Sequence, residues 1–206
     1  PGNKIVVEGN LTFQNTNYIS VNLQSQDAAE YVVAECTGTL TCDVSQLKTR
    51  GLDGINYDLV VRANSQLVLV INQTRQPSDN VVWMGNESEV WDYKAKNFSL
   101  NGATSFVAGD KVVFNAQGQL KTVTINESMV TNGVFFDSGK YMLMGEGSIS
   151  GPGDVTVNKD ADVTLNLKYS DYTGRTIING GRLTVPNFYD GGQKSAIGAS
   201  SAAEGN

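Results

Sequence analysis

The chain has 206 residues, with 15 Lys+Arg against 21 Asp+Glu and no histidine, for a formal net charge of −6 at pH 7. That length holds one large all-β domain or two small ones, with enough chain to bury a core. The missing histidine excludes Ser-His-Asp and Cys-His nucleophile systems and His-ligated zinc or haem, and an acidic chain without a Lys/Arg cluster lacks the massed positive charge that nucleic-acid binding needs.

No apolar run approaches the ~20 residues that span a bilayer, so no membrane insertion is expected. The chain opens at Pro1-Gly2 without a signal-peptide pattern and reads as a mature or excised piece of something longer. Glycine (22), asparagine (20) and valine (23) dominate over helix formers. No window carries sustained i, i+3, i+4, i+7 apolar spacing. Short β-branched runs alternate instead with Gly, Asn and Asp turns, which predicts an all-β chain.

Strands are predicted over 5–7, 11–13, 19–23, 31–35, 57–62 and 66–71. The last two flank Ala63-Asn64-Ser65, hairpin spacing with Asn64 able to take a positive φ, so this part is partly antiparallel. The only cysteines, Cys36 and Cys42, lie on either side of Gly38. A turn there would place the thiols opposite each other as a possible disulfide, and the alternative is a pair of small buried hydrophobes. A zinc site would need two more soft ligands, so no metal is expected.

A polar stretch, Gln76-Pro77-Ser78-Asp79-Asn80, separates a part with 5 glycines from one with 17. The predicted organisation is therefore a β-rich segment over 1–80, serving as a cap or as the end of a preceding array, and a solenoid over 81–206. Just past the boundary, Trp83, Trp91 and Tyr93 form the main aromatic concentration, with Asn86 and Asp92 beside them. Two readings stand: a sugar-stacking platform with polar hydrogen-bond partners, or rings that cap the end of a core.

The second part carries a period. Lys111-Val112-Val113-Phe114-Asn115, Gly133-Val134-Phe135-Phe136-Asp137, Asp154-Val155-Thr156-Val157-Asn158 and Arg175-Thr176-Ile177-Ile178-Asn179 each end in Asn or Asp, 22, 21 and 21 residues apart. A second series, Thr122-Val123-Thr124-Ile125, Tyr141-Met142-Leu143-Met144, Asp162-Val163-Thr164-Leu165 and Arg182-Leu183-Thr184-Val185, interleaves with starts 19, 21 and 20 residues apart. Two strand series sharing a period of about 21 residues predict a β-solenoid. Asn115, Asp137, Asn158 and Asn179 are then expected to line one edge as a hydrogen-bonded ladder, with Asn tolerating a left-handed corner.

Asp160-Ala161-Asp162 puts two carboxylates on one side of a strand, with Lys159, Lys168, Arg175 and Arg182 nearby in sequence. Acids holding calcium beside a basic residue are the chemistry of polysaccharide lyases, but solvated turn residues explain the same pattern, and no calcium-loop motif occurs.

The stretch Tyr172-Thr173-Gly174-Arg175-Thr176-Ile177-Ile178-Asn179-Gly180-Gly181-Arg182-Leu183-Thr184-Val185 resembles the autotransporter-associated β-strand repeat, Y-x-G-x-T-x-I-x-x-G-x-L-x-V, at every fixed position. The tail over 195–201 resembles the small-residue continuation toward a next coil. The block from Trp83 to Asp92, with Asn97-Phe98, resembles the W-x-G…W-D…N-W block that precedes such repeats, Phe98 standing where a third Trp is usual. The resemblance covers residues 81–206 and reaches 1–80 only in layout.

It implies a right-handed parallel β-helix in a large secreted or surface-attached bacterial protein, and, the repeat being a scaffold unit, it does not imply an enzymatic activity. The expected function is thus a non-enzymatic structural spacer or display stalk without a cofactor. Alternatives are a carbohydrate-binding module using Trp83 and Trp91, or a fragment of a polysaccharide lyase. The partners expected are the rest of the parent chain and a polysaccharide or a host or cell-surface glycan.

Overall fold

The structure, a computed structural model, describes residues 3–23, 29–52, 54–72 and 75–202. It is all-β, 47% strand and 2% helical, the helical part being one 3-10 turn at Val44–Gln46 that is capped by Asp43. Two compact units divide at Arg75/Gln76. Among the described residues no helix is long and apolar enough to cross a membrane.

The N-terminal unit contains β1 (Ile5–Val7), β2 (Leu11–Thr12), β3 (Asn17–Ser20), β4 (Ala29–Cys36), β5 (Leu40–Thr41), β6 (Leu47–Arg50), β7 (Tyr57–Arg62) and β8 (Gln66–Ile71). The hairpin prediction for β7 and β8 describes the structure: the strands pair antiparallel from Tyr57↔Ile71 to Arg62↔Gln66, with Asn64 at φ 51° and Ala63 also left-handed at 49°. β8 continues the antiparallel sheet onto β4.

Sequence reading did not anticipate the rest of this unit. β1 pairs parallel with β4, β2 with β5 and β3 with β6, at offsets of 29, 29 and 30 residues (Ile5↔Ala34, Leu11↔Leu40, Asn17↔Leu47). Three consecutive parallel pairings at a near-constant offset amount to one coil laid on another. Ala34, Leu40, Leu47 and Leu67 form the buried centre between them.

The C-terminal unit contains β9 (Val81–Trp83), β10 (Phe98–Ser99), β11 (Ala103–Thr104), β12 (Lys111–Phe114), β13 (Thr122–Thr124), β14 (Ser128–Val130), β15 (Gly133–Met144), β16 (Ser148–Ser150), β17 (Asp154–Asn166), β18 (Thr176–Asn179) and β19 (Arg182–Thr184). It is a β-solenoid of about 3 turns. On one face, β9, β12, β15, β17 and β18 pair parallel in that order, with Lys111↔Gly133, Gly133↔Asp154 and Val155↔Thr176. This is the alignment that the four pentapeptides predict.

A second face joins β13, the far half of β15, the far half of β17 and β19. A third pairs β14 with β16. In the middle coils the two predicted strand series lie on single bent strands, β15 and β17, that turn the corner without a break.

The second series needs a correction of one residue. Thr122 pairs with Met142, because the first coil uses two more residues than β15 in passing from one face to the next. Tyr141 pairs with Val163, because the register shifts between Phe136 and Ser138, where β17 carries an extra residue at the corner. Side-chain alternation dictates this frame. Val123, Leu143 and Leu165 all point inward and are fully buried, as are Tyr141 and Val163.

The coils hold together by stacking like on like. Val112, Val134 and Val155 form one buried column, and Phe114, Phe136 and Val157 another; the Phe114 and Phe136 rings stack at 4.9 Å with 18° between their planes. Each such side chain contributes about 1.5–3 kcal/mol, but only when the neighbouring coil covers it. Close approach of coils also dictates where glycine stands. A Cβ on Gly153 would lie 2.0 Å from the carbonyl carbon of Asn132, and one on Gly174, 21 residues on, 2.3 Å from the oxygen of Gly153.

Candidate functional site

The aromatic block is built inward. Trp83 and Trp91 are 0% exposed and Tyr93 is 4% exposed. Trp83 packs against Phe98 and Phe114, and Trp91 against Phe98, Phe106 and Phe114, all with centroids 5.2–5.9 Å apart. β10 pairs antiparallel with β9 and with β11, so these rings fill the first coil beneath a short antiparallel cover. A ring stacks on a sugar only through an open face, and neither tryptophan has one. Trp83, Trp91 and Tyr93 therefore sit in the core, which agrees with the second of the two readings, rings that close the end of a core, and leaves no sugar-stacking platform at these rings.

Their polar neighbours organise the loop. Asp92 accepts from the backbone N–H groups of Lys94 and Ala95, at 2.9 and 2.7 Å, while Asn86 lies exposed at 3.4 Å from the Gln119 amide. The structure thus does not bring Asn86, Asp92 and the rings together around one surface. Trp83 Nε1 donates to the Leu120 carbonyl at 2.8 Å, and Tyr93 donates to the Ser128 carbonyl. Trp91 Nε1 has no hydrogen-bond partner among the described residues; its ring makes T-shaped contacts with Phe98 and Phe106.

The pivotal residue of this block is Asn97, which is fully buried. Its Oδ1 accepts from Glu87 N (2.8 Å) and Ser88 N (2.9 Å), and its Nδ2 donates to Ser88 Oγ (2.9 Å) and Val90 O (2.8 Å). Its carbonyl also accepts from Met84 N and Gly85 N. One amide thereby satisfies a whole loop. Asp110, likewise buried, accepts from Ser78 N and Val107 N.

The predicted ladder runs along the outside. Asn179 Nδ2 donates to Asn158 Oδ1 at 3.3 Å, and Asn158 Nδ2 to Asp137 Oδ1 at 3.4 Å. Asn115 occupies the next register position, but its side chain turns to accept from Gln117 N at 2.9 Å. The corner's left-handed residues are Gly139 and Gly180, at φ 93° and 85°, and none of the four ladder residues has a positive φ. The left-handed conformation that Asn tolerates is thus not used at the ladder: glycine, without a Cβ, supplies it at lower cost.

Further ladders escaped the sequence reading. Asp154 accepts from Arg175 N (2.7 Å) and pairs with the Arg175 guanidinium (2.9 Å), holding its carboxyl below the usual range. On the third face Ser128 and Ser150 hydroxyls lie 2.6 Å apart, Ser150 bonds Asp171, and Lys194 pairs with Asp171 at 2.7 Å. Burial pushes the Asp171 carboxyl up, but Lys194 and Ser150 outweigh it and hold it low. These positions repeat at 21–23 residues, the same interval as the strands, which is the signal that could have found them.

No family model, curated protein or solved structure matches the chain.

Carboxylates held low make the stack acid-sensitive. Their contribution is complete above the ordinary Asp value and is lost as pH falls through the depressed value, so the urea midpoint is expected to drop below about pH 4. Asp154→Asn should flatten that dependence when midpoints are compared between pH 6 and pH 3. An equal slope in the variant would contradict the assignment.

Asp160 and Asp162 both point outward around the buried Ala161, as expected; Asp162 lies 4.0 Å from Lys140 and in register with Arg182. Arg175 is committed to Asp154 rather than to this pair. Cys36 and Cys42 are free thiols in the structure, half-buried against the core of the N-terminal unit. The Cys36 thiol lies 3.5 Å from the Gly38 carbonyl, and burial, aided by the Asp43 charge, pushes the Cys42 thiol up.

A shallow depression lies on the outer side of the first face, with a volume of about 440 Å³. Val113 and Phe135 make its floor and Asp79, Asn80, Lys111, Asp137 and Asn158 its rim. Only Asp137 and Asn158 of these stand among the sequence-derived candidates, as ladder residues.

Proposed function

We propose that this chain is a non-enzymatic structural segment of a larger secreted or cell-surface bacterial protein, a stiff β-solenoid spacer or display stalk. One observation supports it above the others: strands of successive coils lie parallel and in register over five tiers of the first face, with like residues stacked. Such a stack transmits load through many backbone hydrogen bonds at once and keeps its outer positions at a fixed pitch of about 4.8 Å. Ion pairs and amide ladders on the outside tie neighbouring coils without using an internal cavity.

The outermost coil adds a second support. Among the described residues β18 and β19 pair with β17 alone, and Ile178, in register with the fully buried Val157, is 53% exposed. A further coil of the same pitch would cover it. The full resemblance at Tyr172–Val185 to the autotransporter-associated repeat leads to the same reading and to the bacterial surface as its place.

Single-molecule pulling tests the reading. A spacer of this kind gives a rupture peak that releases the C-terminal unit as a whole; gradual extension at low force overturns it. Calcium-dependent release of unsaturated products from pectin, lost in Asp160→Asn or Arg175→Ala, would replace it with the lyase reading.

A further inference from the structure

We propose that the depression formed by Val113, Phe135, Asp79, Asn80, Lys111, Asp137 and Asn158 binds a neutral glycan. This goes beyond the spacer reading and does not depend on it.

The floor comes from the outward row of the first face, where Val113 and Phe135 are register partners on adjacent coils. Phe135 folds against Gly133: a Cβ there would lie 3.0 Å from its Cε2. The phenyl ring is thus laid along the coil surface, with Gly133 below and part of its area open, as a stacking platform requires. Phe135 is the one aromatic in this row, whose other members are Val82, Val113, Thr156 and Ile177.

The rim carries two polar pairs. Lys111 Nζ lies 3.2 Å from Asp79, and Asn158 Nδ2 donates to Asp137 at 3.4 Å. A carboxylate accepts two hydroxyls side by side, and an amide both donates and accepts, which suits vicinal hydroxyls.

Charge selects among glycans. Two aspartates against one lysine leave the rim net negative, which disfavours uronates, sulfated sugars and phosphates and leaves neutral, hydroxyl-rich chains. Each coil adds rim groups about 4.8 Å further along the stack, so an extended chain running along the axis meets polar groups on successive tiers.

The test is a printed glycan array, followed by affinity gels containing neutral β-glucan, galactomannan or polygalacturonate. The expected result is binding to a neutral glycan, weakened at least tenfold in Phe135→Ala and severalfold in Asp137→Ala. Because Phe135→Ala could disturb folding, Asp79→Ala, at a side chain 77% exposed, serves as a second variant and should also weaken binding. Side-chain amide resonances of Asn80 and Asn158 should shift on titration with the oligosaccharide that binds. No binding on the array, preference for polygalacturonate, or binding unchanged in both Phe135→Ala and Asp137→Ala would overturn the proposal. These outcomes leave the pulling experiment untouched.

Discussion

Gly174→Ala is expected to lower the stability of the C-terminal unit by about 3 kcal/mol. The added Cβ would meet Gly153 O at 2.3 Å, Gly153 C at 2.4 Å and Asp154 N at 2.6 Å, all backbone atoms of the coil below. No side chain can swing away to admit it. The coils must therefore separate, which disturbs the Arg175–Asp154 bonds beside the contact and the burial of Tyr172. A fall of roughly 6–12 °C in thermal midpoint is the corresponding readout. The same change at exposed Gly192, where nothing lies within 4 Å but φ is +83°, should cost only the roughly 1–2 kcal/mol of a left-handed Ala, so the pair separates coil contact from backbone strain. Equal losses at the two positions would contradict the stacking explanation for Gly174.

Asn97→Ala should cost a similar amount, about 3–4 kcal/mol, by leaving the N–H groups of Glu87 and Ser88 without their buried acceptor and Val90 O without its donor. The loop over 84–97 then loses the bonds that hold Trp91 under its cover, so tryptophan emission should shift toward longer wavelength in the native variant. Denaturant midpoints measure the first effect and fluorescence the second. A loss under 1 kcal/mol would mean that the loop is held by the ring cluster alone.

The parts of this fold that were legible in the sequence share one cause: a repeated environment selects a repeated residue. Lys111, Gly133 and Asp154 begin strands that stack in register because Val112, Val134 and Val155 must meet in one column. Hairpin β7–β8 was legible because three turn residues join two apolar runs.

What escaped has equally physical reasons. The one-residue error in the second series arose because an extra residue at a corner changes the interval without leaving a mark on the alternating pattern. The parallel coils of the N-terminal unit were hidden because two tiers give only one comparison. Leu11-Thr12 against Leu40-Thr41 is the one repeated pair, and Ile5-Val6-Val7 against Ala34-Glu35-Cys36 shows nothing. The direction in which Trp83 and Trp91 face is a property of the first coil's cover, built from Phe98 and Phe106, and residue type carries no such information. The depression around Phe135 gathers residues from positions 79 to 158, so its existence follows only from the stacking.

The most direct test of the coil architecture is a pair of engineered cross-links in a background with Cys36→Ala and Cys42→Ala. Residues on adjacent tiers lie about 4.8 Å apart, inside the Cα range of a disulfide, and residues two tiers apart lie near 10 Å, outside it. Asn158→Cys with Asn179→Cys should oxidise readily to an internal bridge, and Asp137→Cys with Asn179→Cys should remain as two free thiols. Comparable bridging by both pairs, or none by the first, would contradict the stacked register.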